Sequence, residues 1–335
     1  GIITVRSTVW RNNYPRAVRA QVTGRLTMLA ASVLSITPLL AYAMLDLTPW
    51  AFRVVYPASA LIAAVGVWSF SKVRLRRERE LLAYEAKPGV TPKPHGESSP
   101  IYEYDPIAES DTKPSFWDVL RKDRLFRWYM VCQFIMGAGV MSSEGVLIHY
   151  VSRMTDGWRL EYQASVLVTA VLPFLLATVS MPLWARLMDR MHIIKFRTRH
   201  TWMWVIAFAI IWAGAVWGSL LVIAIGRIIQ GLGRGGGILA WQLGHNDFAD
   251  RRMVSIYMGI HQTLTGIRGA IFPIGGIAIA TGWNPIQLPL TDLTLPGFAG
   301  LGPHFFLISL ALTLTSSIGY LFLHRALANT QPVED

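Results

Sequence analysis

The run WMWVIAFAIIWAGAVWGSLLVIAIGRIIQGLGRGGGILAWQLGH, residues 202–245, decides the architecture. A helix rises about 1.5 Å per residue and needs roughly 20 apolar residues to cross a bilayer core. This run is about twice that length, and Gly218-Ser219 offers a tight turn near its middle. It therefore reads as a hairpin of two spans, Trp202–Trp217 and Ser219–His245. Lipid offers no partner to a backbone N–H or C=O, so each span must satisfy its own as a helix.

Six more spans appear outward from this hairpin: Leu26–Leu45, Phe52–Phe70, Phe126–Val151, Ala164–Trp184, Ile256–Thr281 and Phe305–Leu323. The expected fold is thus an all-α membrane protein with eight transmembrane helices. Composition agrees: 53% of the 335 residues are hydrophobic and only 15% charged, where a soluble domain carries about 25% charged residues. The net charge of +11 does not signal nucleic-acid binding, because the basic residues lie between apolar spans and not on a soluble face. The partners expected are the lipid bilayer and a small-molecule substrate.

Loop charge gives the orientation. If the loops alternate sides, 25 of the 31 Lys and Arg residues fall on the side of residues 1–25. Three fall opposite (Arg53, Arg153 and Arg159) and three lie inside spans. The first side is therefore cytoplasmic, in what reads as a bacterial inner membrane. Merging the 202–245 hairpin into one span would spoil the alternation.

Residues 73–125 differ in kind. They open in the charged run KVRLRRERE, which starts at Lys72, and continue through Pro88, Pro92, Pro94, Pro100, Pro106 and Pro114. This reads as a cytoplasmic linker, helical at its start and disordered in its middle. It separates a two-span part, residues 1–72, from a six-span part, residues 126–335. Gly1 followed at once by a basic stretch reads as the interior of a longer chain. The single Cys132 excludes an intramolecular disulfide and any cysteine metal cluster.

Two spans, a long basic linker and six spans resemble the major facilitator superfamily with its first four helices missing. That family has twelve helices in two six-helix halves joined by such a linker. Its signature loop, G-x-x-x-D-R/K-x-G-R-R/K, resembles Ala185-Arg186-Leu187-Met188-Asp189-Arg190, with Ala for the first Gly and His192 where the second is expected. Tyr14-Pro15-Arg16 with Arg19 is similar to the basic loop before the family's fifth helix. The stretch from Gly231 through Gly244 to Pro273 is similar to its tenth and eleventh helices. The resemblance implies alternating access, with Asp189 and Arg190 in a cytoplasmic gate: Asp189 would meet a helix N-terminus or an Arg across the halves.

Charges inside spans carry the chemical reading, because each costs several kcal/mol to insert. Glu144 lies about 27 Å from the cytoplasmic end of its span, Arg268 about 18 Å in, and Arg227 about 12 Å below the outer surface. Arg234 lies near the midplane. Glu144 is the lone acid, so an ion pair with Arg268 or Arg227 is expected. Either it holds helices together or it forms a proton or substrate site, in which protonation releases an Arg to an anionic group. Gln133, Gln242 and His261 suit interhelical hydrogen bonds. Three arginines against one acid lean towards an anionic or zwitterionic substrate.

Arg234 sits in Gly231-Leu232-Gly233-Arg234-Gly235-Gly236-Gly237. This contains the G-x-G-x-x-G of dinucleotide sites, which needs a preceding strand and a soluble βαβ unit that are lacking here. Gly231, Gly233 and Gly236 instead suit close helix packing in a gate. His245, Asp247 and His261 fit no metal-ligand spacing, and no ATP motif occurs, so no cofactor is expected. The expected function is a proton-coupled secondary transporter, not an enzyme. A non-transporting receptor or scaffold and a membrane-embedded enzyme stand as the alternatives.

Overall fold

The computed structural model describes residues 9–11, 13–74, 115–157, 161–249, 253–287 and 294–330. Most of the linker expected at 73–125 lies outside them. From Arg16 onward the described residues form ten α-helices: α1 Arg16–Leu47, α2 Phe52–Ser71, α3 Phe116–Lys122 and α4 Arg124–Met154, then α5. This fifth helix runs through Glu161–Val166, a π-helical segment Leu167–Val171, and Leu172–Asp189. There follow α6 Ile193–His200, α7 Trp202–Val216, α8 Leu220–Leu243, α9 Val254–Thr281 and α10 Phe305–Thr330.

Local chemistry sets the boundaries. Pro15 precedes α1, where the missing N–H is an orphan in any case. Ser115 and Asp118 form a capping box that starts α3, with Asp118 Oδ2 accepting from the Ser115 N–H at 2.8 Å. Asp123 caps α4 by accepting from the Phe126 N–H at 2.8 Å. Its other oxygen accepts from the Tyr257 hydroxyl at 2.8 Å, tying α4 to α9. Gly218, at φ +64°, makes the turn between α7 and α8, and Ser219 caps α8.

Among the described residues, seven stretches are long and apolar enough to cross a membrane: Arg16–Ala41, Phe52–Ser71, Arg124–Met154, Gln163–Asp189, Ile193–Val216, Val254–Thr281 and Gly302–Ala328. The protein is thus an integral membrane protein, with seven of the eight expected spans meeting this criterion. The helix that falls out is α8, whose two arginines, glutamine and glycines lower its hydropathy. The all-helical expectation is also corrected to nearly all-helical. The segment after α9 carries an antiparallel pair, β1 Ile286–Gln287 with β2 Thr294–Leu295, in the register Ile286↔Leu295.

The packing runs in order from α1 to α5, α8, α7, α10, α4 and α9. Two apolar clusters fill the bundle's ends. One gathers Phe126, Tyr129, Met181, Ile193, Phe196, Leu243 and Tyr257, and the other Val146, Val151, Phe208, Ile211, Ile223 and Phe306. None of the four intramembrane charges belongs to either cluster. α8 lies against α5 through Gly231 and Gly235. A Cβ added there would stand 2.9 Å from Pro173 Cα and 2.5 Å from Ser180 Oγ. Small residues allow such approach where lipid gives no hydrophobic drive to association.

Candidate functional site

Glu144 on α4 is held by two guanidinium groups of α8. Its Oε1 accepts from Arg234 Nη2, and its Oε2 from Arg227 Nη2 at 3.4 Å. Arg268, the other partner expected for Glu144, is not among its ion pairs. The two arginines sit in different surroundings. The Arg227 side chain is 1% exposed, whereas those of Arg234 and Glu144 are 18% and 31% exposed. Arg234 also lies over the Phe174 ring, 4.9 Å from its centroid, and its Nε has no hydrogen-bond partner.

Arg227 has a second role that follows from one proline. Pro173 has no N–H, so it cannot donate to Thr169 O at α-helical spacing or to Val168 O at π spacing. The chain widens here into its π segment, where the Leu172 N–H reaches back to Leu167 O. The Arg227 guanidinium takes both carbonyls. Nε donates to Val168 O at 3.3 Å, and Nη2 to Thr169 O. Nη1 donates to Gln230 Oε1, one turn along α8. Arg227 thus repairs a gap in α5 while it pairs with Glu144.

A second polar group centres on Gln133 of α4. Arg197 Nη2 donates to Gln133 Oε1 at 2.6 Å, and the Tyr320 hydroxyl donates to the same oxygen at 3.1 Å. Arg268 Nη1 donates to the Gln133 main-chain carbonyl at 2.8 Å, and its Nε lies 3.3 Å from Met141 Sδ. Gly137 makes the slot, since a Cβ there would stand 2.1 Å from Arg268 Cζ. Arg197 and Arg268 are buried, and among the described residues neither forms an ion pair.

At the end of the bundle next to α6, Asp189 accepts from the main-chain N–H groups of Ala20 at 2.8 Å and Gln21 at 3.2 Å, in α1. Asp247 accepts from the Ile193 N–H at 2.8 Å and pairs with Arg16 at 3.3 Å. Arg16 also donates to Met191 O at 3.2 Å. These contacts join α1 to α5, to the start of α6 and to the turn after α8. Arg190 is exposed beside them. Gly233 and Gly236 face α7 and α6: a Cβ there would stand 3.2 Å from Met203 Cβ and 2.6 Å from His200 Cδ2.

The structure therefore divides the sequence's candidates. Glu144, Arg227 and Arg234 form one group, and Gln133 and Arg268 another. Asp189 stands apart at the α1 contact. Sequence reasoning missed Arg197. Its signal was the spacing of Ile193, Ile194, Phe196, Arg197 and His200, which share the buried side of α6. Pro173 inside an apolar span was the overlooked sign of free carbonyls.

The family model described as Major Facilitator Superfamily matches residues 1–273. No curated protein and no solved structure matches the chain.

Proposed function

The chain belongs to the major facilitator superfamily, and from that premise we propose that it is a secondary transporter. It moves a small solute across the cytoplasmic membrane by alternating access, with proton coupling at Glu144. Members of the family are generally transporters that bind small molecules within the membrane. In this reading α8 is also a span. The eight spans correspond to the fifth to twelfth helices of the family's fold, with residues 1–72 in one half, a linker at 73–125, and the other half at 126–335.

One observation carries the proposal: a lone carboxylate shared by two guanidinium groups, one sealed and one partly open. A structural ion pair needs only one cation. Arg227 is committed to the carbonyls of α5. Arg234 rests on Glu144 and an aromatic face alone. Protonation of Glu144 removes the charge that holds Arg234 and frees its fork for a solute, which couples proton and solute at one place. The gate is the cytoplasmic set. Asp189 on the α1 main chain and Asp247 on Arg16 must part for the inner side to open, with Arg190 beside them. Gly231, Gly233 and Gly236 let α8 slide on its neighbours.

Glu144→Gln in the intact protein tests this. Proteoliposome counterflow should persist, because exchange needs no net proton movement, while the pH dependence of net uptake disappears. Net uptake with an unaltered pH dependence would sink the coupling role. No exchange of any solute by the unmodified protein would sink the transport reading itself.

A further inference from the structure

We propose that Arg197, Arg268 and His261 form an oxyanion site, which takes a carboxylate or phosphate group of the transported solute. The proposal rests on the transporter reading and names its substrate class. It starts from charge. Burying an unpaired cation is costly, and a buried charge is normally matched by an opposite one. Arg227 and Arg234 share one carboxylate, Glu144. Arg197 and Arg268 have none among the described residues, although they are 2% and 4% exposed. Both are held by neutral oxygens of the same residue, Gln133. Its side-chain oxygen is already saturated by Arg197 and Tyr320.

Donors remain to spare around this centre. Arg197 Nε has no partner. His261, on the same helix as Arg268 and 1% exposed, has no partner at either ring nitrogen. Trp241 meets the imidazole edge-on, with ring centroids 5.6 Å apart. Two planar forks that meet at Gln133 without a carboxylate, and a buried unpartnered imidazole on the helix that carries Arg268, suit a ligand that brings two or three acceptor oxygens. The site lies between α4, α6, α9 and α10, on the cytoplasmic side of the Glu144 group. An oxyanion held there and the proton-sensitive pair above it would share one path.

The test uses the intact purified protein in detergent at constant ionic strength. Sodium succinate and sodium phosphate are titrated separately against sodium chloride, with thermal unfolding and tryptophan fluorescence as readouts. Either oxyanion should raise the unfolding midpoint saturably, and the one that does names the headgroup. Arg268→Gln should weaken its apparent affinity by about tenfold or more, as loss of a charge-assisted contact does. Arg199→Gln, which removes the same charge from an exposed position on α6, should leave it unchanged. If Arg268→Gln does not fold, Arg268→Lys keeps the charge and loses the fork, and should still weaken binding severalfold.

No midpoint shift with either ion, or a shift that survives at position 268, overturns the site. Counterflow of a neutral or cationic solute, without any oxyanion effect, would overturn the site and leave the transporter reading intact. Absence of all exchange would remove that reading instead.

Discussion

Arg227→Met should destabilise the bundle by an amount that depends on what occupies position 173. In the unmodified protein, Arg227 supplies the donors that Pro173 withholds from Val168 O and Thr169 O. Methionine fills similar volume without donating, so both carbonyls are left bare in a buried setting. An unsatisfied buried acceptor costs roughly 1–3 kcal/mol, which sets a ceiling of about 6 kcal/mol for the two. Hydrogen-bond couplings measured within membrane bundles are smaller, averaging about 0.6 and reaching about 1.7 kcal/mol. Glu144 still keeps Arg234, so no naked carboxylate inflates the effect. Pro173→Ala restores one N–H to the ladder and preserves the Cα that lies where a Cβ of residue 231 would stand. In that background Arg227→Met leaves one bare carbonyl and not two. The double-mutant cycle should therefore return a coupling of about 0.6–1.7 kcal/mol, with the arginine worth less once the proline is gone. Denaturant titration of the four variants in mixed micelles measures it. A coupling indistinguishable from zero, or of opposite sign, would refute the claim that Arg227 repairs the π segment.

Two further outcomes test the packing and the caps. In α9, an alanine at Gly276 would place its Cβ 2.2 Å from Ser142 O, whereas one at Gly275 meets nothing within 4 Å. Gly276→Ala should thus destabilise by about 1–3 kcal/mol or more, while Gly275→Ala should be neutral or stabilising by up to about 1 kcal/mol in the same titration. His192 caps α6 by accepting from the Ile194 N–H at 3.2 Å, which requires an unprotonated Nδ1. Burial holds its pKa below the ordinary histidine value of 6.5, so the unfolded chain takes the proton first. The cap's contribution is full above that value and is lost as the pH falls through it. His192→Asn, which caps without titrating, should flatten the acid limb of stability followed between pH 7 and 5.

Much of the fold was legible because lipid leaves a chain few options. Apolar length and the Gly218-Ser219 turn were sufficient to find the long helices, whereas α1 starts at Arg16, ten residues before the expected Leu26, and the short α3 and α6 have no apolar span to reveal them. Only α8 falls short of the length-and-hydropathy criterion, because the arginines and glycines that carry its chemistry and packing also lower its hydropathy. The charged residues inside spans were visible as candidates, but their partners were not. Depth along a helix can be counted from sequence, whereas the direction around its axis that a side chain takes depends on packing. Glu144 and Arg268 both fell in the outer half by rise, yet Arg268 turns into the Gly137 slot and bonds to Gln133.

Four buried or half-buried arginines illustrate why such assignments resist a rule. Each must find acceptors for a guanidinium, and each does so differently. Arg234 takes a carboxylate, and Arg227 takes backbone oxygens freed by a proline in addition to that carboxylate. Arg197 and Arg268 share one glutamine and carry no counter-charge among the described residues. The first two arrangements have a carboxylate within the protein, and the third has none among the described residues. That counter-charge separates the groups by role: the Glu144 group can hold or release a proton without any ligand, whereas the Gln133 group is complete only when an oxyanion arrives. Coupling would then be the passage of a negative charge between a site that already has one and a site that lacks one. Protonation of Glu144 lowers the electrostatic barrier to that passage.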